Sequence, residues 1–162
     1  MRFVNLKSKH KIKIIDSCVL IDYVESRNLE QYLTKLSEKY DVHVSLFVKT
    51  ETKDILLSKS DNPDDAIYFE SSLKKLRNKK TITIEPKKNR LEKKFKLLKQ
   101  HLCNSRPRVE RVDRHIISLA CQFGAKLCSK DPAIARAISK IRKASRFRLW
   151  KHYAEKASVQ EP

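Results

Sequence analysis

This sequence predicts an α/β fold, a three-layer α/β/α sandwich around a central, mostly parallel five-stranded sheet. Three observations carry the expectation. Short β-branched or apolar runs recur along the chain, separated by amphipathic helical segments, the order that builds parallel sheets with helices on both faces. Of the 162 residues 40% are hydrophobic, enough for a sizeable core although 35% are charged. No run of eighteen or more apolar residues is available to span a membrane.

The elements follow in order. Ile12-Lys13-Ile14-Ile15 reads as a buried strand that stops at Asp16. From Ser17, the residues Cys18, Val19, Leu20, Ile21, Tyr23 and Val24 fit a first helix. Leu29, Tyr32, Leu33 and Leu36 fall on one face of a second helix over about residues 28–39. Val42–Val44 is a second strand, and Ser45 can cap a third helix from Leu46 to Leu57. Asn62-Pro63-Asp64-Asp65 suits a helix start, with Ala66, Phe69, Leu73 and Leu76 on its apolar stripe.

Thr81–Ile84 is a third strand, stopped at Pro86, and residues 87–101 form a very basic helix carrying Leu91, Phe95 and Leu98. A polar, basic loop from Asn104 to Arg111 leads to a helix over Asp113–Phe123, for which Gly124 is a natural C-cap. Lys126–Cys128 is a fourth strand and Pro132 opens another helix. Phe147–Trp150 reads as the fifth strand, with Phe147 and Leu149 on one face and Trp150 on the other. One domain is expected over residues 1–153, with 154–162 a frayed tail.

The charge is strong and unevenly placed. Thirty-seven Lys and Arg against 19 Asp and Glu give +18. Residues 1–73 carry 11 basic and 12 acidic side chains, whereas residues 74–162 carry 26 and 7. An even solubility coat would not divide this way, so the second half is expected to face a polyanion. Two clusters, 74–99 at +10 and 136–156 at +7, account for nearly all of the excess, and binding through them should weaken steeply with salt. Phe147, Trp150 and Tyr153, set among Arg146, Arg148 and Lys151, are expected as core residues before stacking partners for bases.

Other classes drop out. Cys18, Cys103, Cys121 and Cys128 form no CxxC pair, which leaves no structural zinc pattern and points to reduced, mostly buried thiols. With one glycine, Gly124, there is no Gly-rich phosphate loop. The stretch before the first Asp lacks the apolar region of a secretory signal, so a cytoplasmic protein is expected.

Two carboxylates stand at strand ends, Asp16 and Asp131, where α/β sheets place their sites. Asp113 shares a helical face with Ile116, Ile117 and Ala120, and Glu51 shares one with Phe47 and Ile55. Singly, each has an ordinary explanation as a helix cap, turn residue or solvated acid. Together on one sheet edge they would repel one another unless a cation neutralised them. Mg²⁺ or Mn²⁺ suits such oxygen ligands and would assist phosphodiester hydrolysis. Arg106, Arg108, Arg111 and Arg114, leading into and past Asp113, are best placed to hold a phosphate. His115, two residues from Asp113 on a helix, is expected to face elsewhere.

These motifs resemble the PIN-domain nucleases. Ile14-Ile15-Asp16-Ser17-Cys18-Val19-Leu20-Ile21-Asp22 is similar to their opening motif, although Cys18 stands where Asn or Thr is frequent. Val44-Ser45 followed by Glu51 is similar to their second acidic position. Asp113 with its small-apolar helix is similar to the third, and Gly124 through Ser129-Lys130-Asp131 to the fourth. The resemblance covers residues 12–150 and implies a ribonuclease that uses a divalent metal held by Asp16, Glu51, Asp113 and Asp131. Ser17 and Ser129 would support those acids, Lys130 would join the arginines on RNA, and Asp22 would face solvent. It also implies frequent homodimerisation, and the layout is most like toxin ribonucleases, hence an antitoxin partner. Two alternatives stay open: a non-catalytic RNA- or ribosome-binding module with vestigial acids, and a DNA-directed nuclease.

Overall fold

The computed structural model describes residues 10–59, 63–85, 91–105 and 108–160. Its sheet has five strands, all parallel: β1 (Ile12–Ile15), β2 (Asp41–Ser45), β3 (Ile82–Glu85), β4 (Lys126–Cys128) and β5 (Ser158–Gln160). The spatial order is β3-β2-β1-β4-β5, so the chain moves outward from β1 on one side, then returns to fill the other. β1 therefore lies at the topological switch point, where diverging connections leave a crevice beyond the strand ends.

Eight α-helices are present among the described residues. Helices α1 (Ser17–Glu25) and α2 (Leu29–Ser37) link β1 to β2, and α3 (Leu46–Lys59) and α4 (Asp64–Asn78) link β2 to β3. Helices α5 (Lys93–Cys103) and α6 (Arg111–Phe123) precede β4, and α7 (Pro132–Lys143) and α8 (Lys151–Lys156) precede β5. Right-handed crossovers put α1–α4 on one face and α5–α8 on the other, completing the α/β/α sandwich. None of the described helices is long and apolar enough to cross a membrane.

The core follows the sequence pattern closely. Ile14, Ile15, Val42 and Val44 on the central strands are fully covered, as are Leu20, Leu33, Phe69 and Leu73 above one face. On the other face lie Leu98, Leu102, Ile116, Ile117, Phe147 and Trp150. Gly124 ends α6 in the left-handed region at φ 60°, a conformation that costs other residues a Cβ–carbonyl clash. Of the cysteines, all free, Cys121 and Cys128 are buried, Cys18 is half-buried and Cys103 is exposed.

Two expectations are corrected at the C-terminal end. Residues Ser145–Trp150 form a 3₁₀ helix instead of a strand. Three residues per turn bring Phe147 and Trp150 onto the same inward side, both buried, and turn Leu149 out at 67% exposure. The Trp150 indole donates to the Lys94 carbonyl at 2.9 Å, which anchors the turn on α5. The real fifth strand lies within the segment expected to fray. Its Ser158, Val159 and Gln160 pair with Lys126, Leu127 and Cys128, so this segment is tied down through residue 160. The basic helix also starts later than expected, at Lys93, and residues 87–90 and Pro86 lie outside the described residues.

Candidate active site

Asp16 sits one residue beyond β1 and is 3% exposed. Its amide donates to the Cys128 carbonyl at 3.0 Å, continuing the β1–β4 ladder past the last strand residue. The carboxylate does two jobs. One oxygen caps α1 by accepting from the Ser17 amide at 2.7 Å, and the other accepts the Ser129 hydroxyl at 2.7 Å. The Cys18 thiol also points at that second oxygen, 3.5 Å away, so Cys18 fills its motif position as a weak donor. Burial, more than the adjacent Asp16 charge, pushes this thiol up from its ordinary range.

Ser129 is fixed by β5, since its amide donates to the Gln160 carbonyl at 3.1 Å. Its hydroxyl donates to Asp16 while accepting from the Asp131 amide at 3.0 Å. One side chain thus joins the ends of β1 and β4. Asp131 in turn caps α7, accepting from the Ala133 amide at 2.9 Å. The cap roles open for Asp16 and Asp131 are therefore real, and they coexist with a place in the cluster.

Glu51, one turn into α3, is brought over by a 2.5 Å hydrogen bond from the Ser17 hydroxyl. Its carboxyl is raised chiefly by burial, against the pull of Ser17, with Asp16 and Glu110 adding repulsion. Asp113 stands half-buried in the first turn of α6. Burial, then the charges of Asp16, Asp131, Glu51 and Glu110, push it up to about 7. Asp16, Glu51 and Asp131 are thus near enough to raise the Asp113 carboxyl, and so is Glu110. Nothing in the sequence pattern marked Glu110; only its position just before α6 brings it close.

Among the described residues, no three His, Cys, Asp or Glu side chains stand within mutual metal-holding range. The Ser17 and Ser129 hydroxyls lie between the carboxylates and hold Glu51 and Asp16. The donor chemistry still fits a hard divalent cation: every acidic donor is an oxygen, and burial, with repulsion from the neighbouring acids added, raises the Asp113 carboxyl to about 7. A cation among them would remove that repulsion.

The basic residues divide. Arg106 lies outside the described residues, and Arg108 is exposed. Arg114 turns back to donate to the Val109 carbonyl at 2.7 Å, which shapes the entry to α6. Asp22 is exposed, as expected, and pairs with Lys130, so the Lys130 charge is partly matched. Lys99, which sequence reasoning missed, stands beside this group on α5. Burial, then Arg111 and Arg114, lowers its ammonium below the usual lysine range. Lys99 lies 5.0 Å from the Phe47 ring centre and Arg111 lies 5.9 Å from it. His115 faces this group as well, tilted against Phe47 at 4.4 Å and lowered to about 4 by burial and by Lys99. It is thus a neutral packing residue.

The PIN domain profile matches residues 13–140, most of the chain and all four acids. This chain belongs to the PIN-domain family. PIN domains are generally nucleases, and they typically use divalent metal ions. Among solved structures, the PIN fold here is similar to VapBC2 from Rickettsia felis, crystallised bound to a DNA fragment from their promoter. That likeness has a TM-score of 0.59 at 13% identity and covers 93% of this chain and 98% of that one. No curated protein is significantly similar in sequence.

Proposed function

We propose that this protein is a cytosolic, divalent-metal-dependent endoribonuclease that hydrolyses RNA phosphodiester bonds. The observation that carries the reading is the hydrogen-bonded link of Asp16 to the end of β4 through Ser129 and of Glu51 to the start of α1 through Ser17, with Asp131 on the same turn and Asp113 within electrostatic reach. Asp16, Asp113 and Asp131, with Glu51 beside them, would hold Mg²⁺ or Mn²⁺. Such an ion stabilises charge on a phosphoryl oxygen and lowers the pKa of water.

The chain's own groups do the rest. Ser17 and Ser129 hold two of the carboxylates in place. Arg108 and Arg111, exposed before and at the start of α6, would offer guanidinium forks to the phosphate, with Lys130 beside Asp131 as a further cation. The basic second half of the chain would hold the strand, with salt-sensitive affinity.

The pairing in the similar VapBC2 complex supports an antitoxin-type protein partner for this chain. The free state of all four cysteines supports a reducing compartment.

The test is side-by-side digestion of matched RNA and DNA oligonucleotides in Mg²⁺, in Mn²⁺ and in EDTA. RNA cleavage that requires metal and is lost in Asp16→Asn and Asp131→Asn is expected. RNA binding with no cleavage in either metal would make the protein a binding module, and equal DNA cleavage would make it a general nuclease.

A further inference from the structure

A cleft of about 580 Å³ opens directly beside the acid cluster, between α3 and the start of α6. That volume lies within the range of small-ligand sites, roughly 300–1,000 Å³. Two ridges of α3 form its floor, each with residues four apart. Phe47, Glu51 and Ile55 make one ridge, and Thr50, Asp54 and Ser58 make the other. Val112 and Arg111 close the opposite wall.

Phe47, Ile55 and Val112 present apolar surface on either side of the Glu51 carboxylate. The second ridge presents acceptors. The Thr50 hydroxyl already donates to the Leu46 carbonyl and the Ser58 hydroxyl to the Ile55 carbonyl, both at 2.9 Å, so their oxygens are left to accept. Asp54 adds a carboxylate, exposed and without an ion pair among the described residues. A ligand here must be flat, apolar on its faces and rich in N–H donors along one edge.

Lys99 and Arg111 approach the Phe47 ring, and neither is ion-paired among the described residues. Arg111 lines the cleft and Lys99 lies against its Phe47, so positive charge borders a floor whose polar part is acidic, and the anionic part of the ligand belongs beside these two cations. Glu51 belongs both to the cleft and to the acid cluster, through its bond from Ser17. The ligand therefore adjoins the reaction site.

We propose that this cleft is a nucleobase subsite that takes an unpaired guanine next to the cleaved bond, its adjoining phosphate held by Lys99 and Arg111. Guanine carries two adjacent N–H donors on its Watson–Crick edge, which match the two oxygens of one carboxylate as a guanidinium does. Uracil presents a single N–H between two carbonyls, and those carbonyls would face acceptors. Adenine and cytosine each set an amino group beside a ring acceptor. The subsite rests on the ribonuclease reading, and its test separates the two.

The experiment measures anisotropy of labelled single-stranded uridine heptamers whose central base is G, A, C or U, with the full chain in EDTA to prevent cleavage. The G heptamer should bind about tenfold more tightly than the U heptamer, as one well-made bidentate contact allows. Asp54→Asn, and independently Asp54→Ser, should reduce that ratio below about threefold. Lys99→Gln should weaken all four heptamers alike and lower the salt slope by about 0.7. Equal affinities in the unaltered chain, or a G preference kept in both Asp54 variants, overturn the subsite. If the same chain cleaves RNA in Mg²⁺ or Mn²⁺, the ribonuclease reading survives that result. Absence of both RNA binding and cleavage overturns the two together.

Discussion

Asp113→Asn should make the metal-free protein more stable above neutral pH, although it removes a residue of the reaction site. The Asp113 carboxyl moves from an ordinary value of 3.8 to about 7 through burial and four neighbouring acids. A raised carboxyl binds its proton more tightly in the folded chain than in the unfolded one. Below the unfolded value both states are protonated and no penalty exists. As pH rises through the interval from 3.8 to about 7, the unfolded state ionises first and folding loses stability. Above the folded value the penalty is complete. At roughly 1.4 kcal/mol per pH unit the interval corresponds to about 4 kcal/mol. Screening at this half-buried side chain reduces that to about 1–2 kcal/mol.

The assay is thermal and urea unfolding of both proteins in EDTA, at about pH 4 and about pH 8. Near pH 4 the two should agree closely. Near pH 8 the variant should melt about 2–8 °C higher, given roughly 2–4 °C per kcal/mol for a chain of this size. Excess Mn²⁺ should reverse the order by stabilising the unaltered chain. A variant less stable than the unaltered chain near pH 8, or a difference independent of pH, would refute a raised Asp113 carboxyl.

Three further variants test the scaffold. Ser129→Ala removes the hydroxyl that joins Asp16 to the Asp131 amide and should cost about 1–3 kcal/mol in urea unfolding, because a buried carboxylate oxygen loses its partner. Trp150→Ala should cost about 3–5 kcal/mol by emptying the core under α5. Leu149→Ser should change stability by less than about 0.5 kcal/mol, a contrast that a strand at Ser145–Trp150 would not produce.

Most of the fold could be read from the chain because its strong elements are locally consistent. Ile12–Ile15 and Val42–Val44 are apolar runs too short for helices, and both end at polar residues. That same interruption marked Asp16, since a strand that stops at a carboxylate places it on the sheet edge. Gly124 marked the end of α6 for a local reason, its left-handed backbone. The C-terminal end was misread because Phe-Arg-Leu-Trp alternates like a strand, while burial at Phe147 and Trp150 obeys a spacing of three. β5 was missed because Ser-Val-Gln offers one apolar residue; parallel pairing with β4 makes it a strand, and pairing is not local.

The site divides in the same way. Asp16 and Asp131 were legible from strand ends, and Glu51 and Asp113 from helical faces. Lys99 and Glu110 were not, because tertiary packing alone sets a lysine of α5 against an arginine of α6. The pairing of Lys130 with Asp22 was not legible either, since the two meet across 108 residues of chain.

The central claim is that Asp16, Glu51, Asp113 and Asp131 together hold a divalent cation. Direct titration of Mn²⁺, followed by loss of the free-ion electron paramagnetic resonance signal, tests it without requiring turnover. The unaltered chain should bind Mn²⁺, more weakly below about pH 7 as Asp113 gains its proton. Asp16→Asn, Asp113→Asn and Asp131→Asn should each weaken binding by at least about tenfold. Affinity left unchanged in all three folded variants would contradict the account.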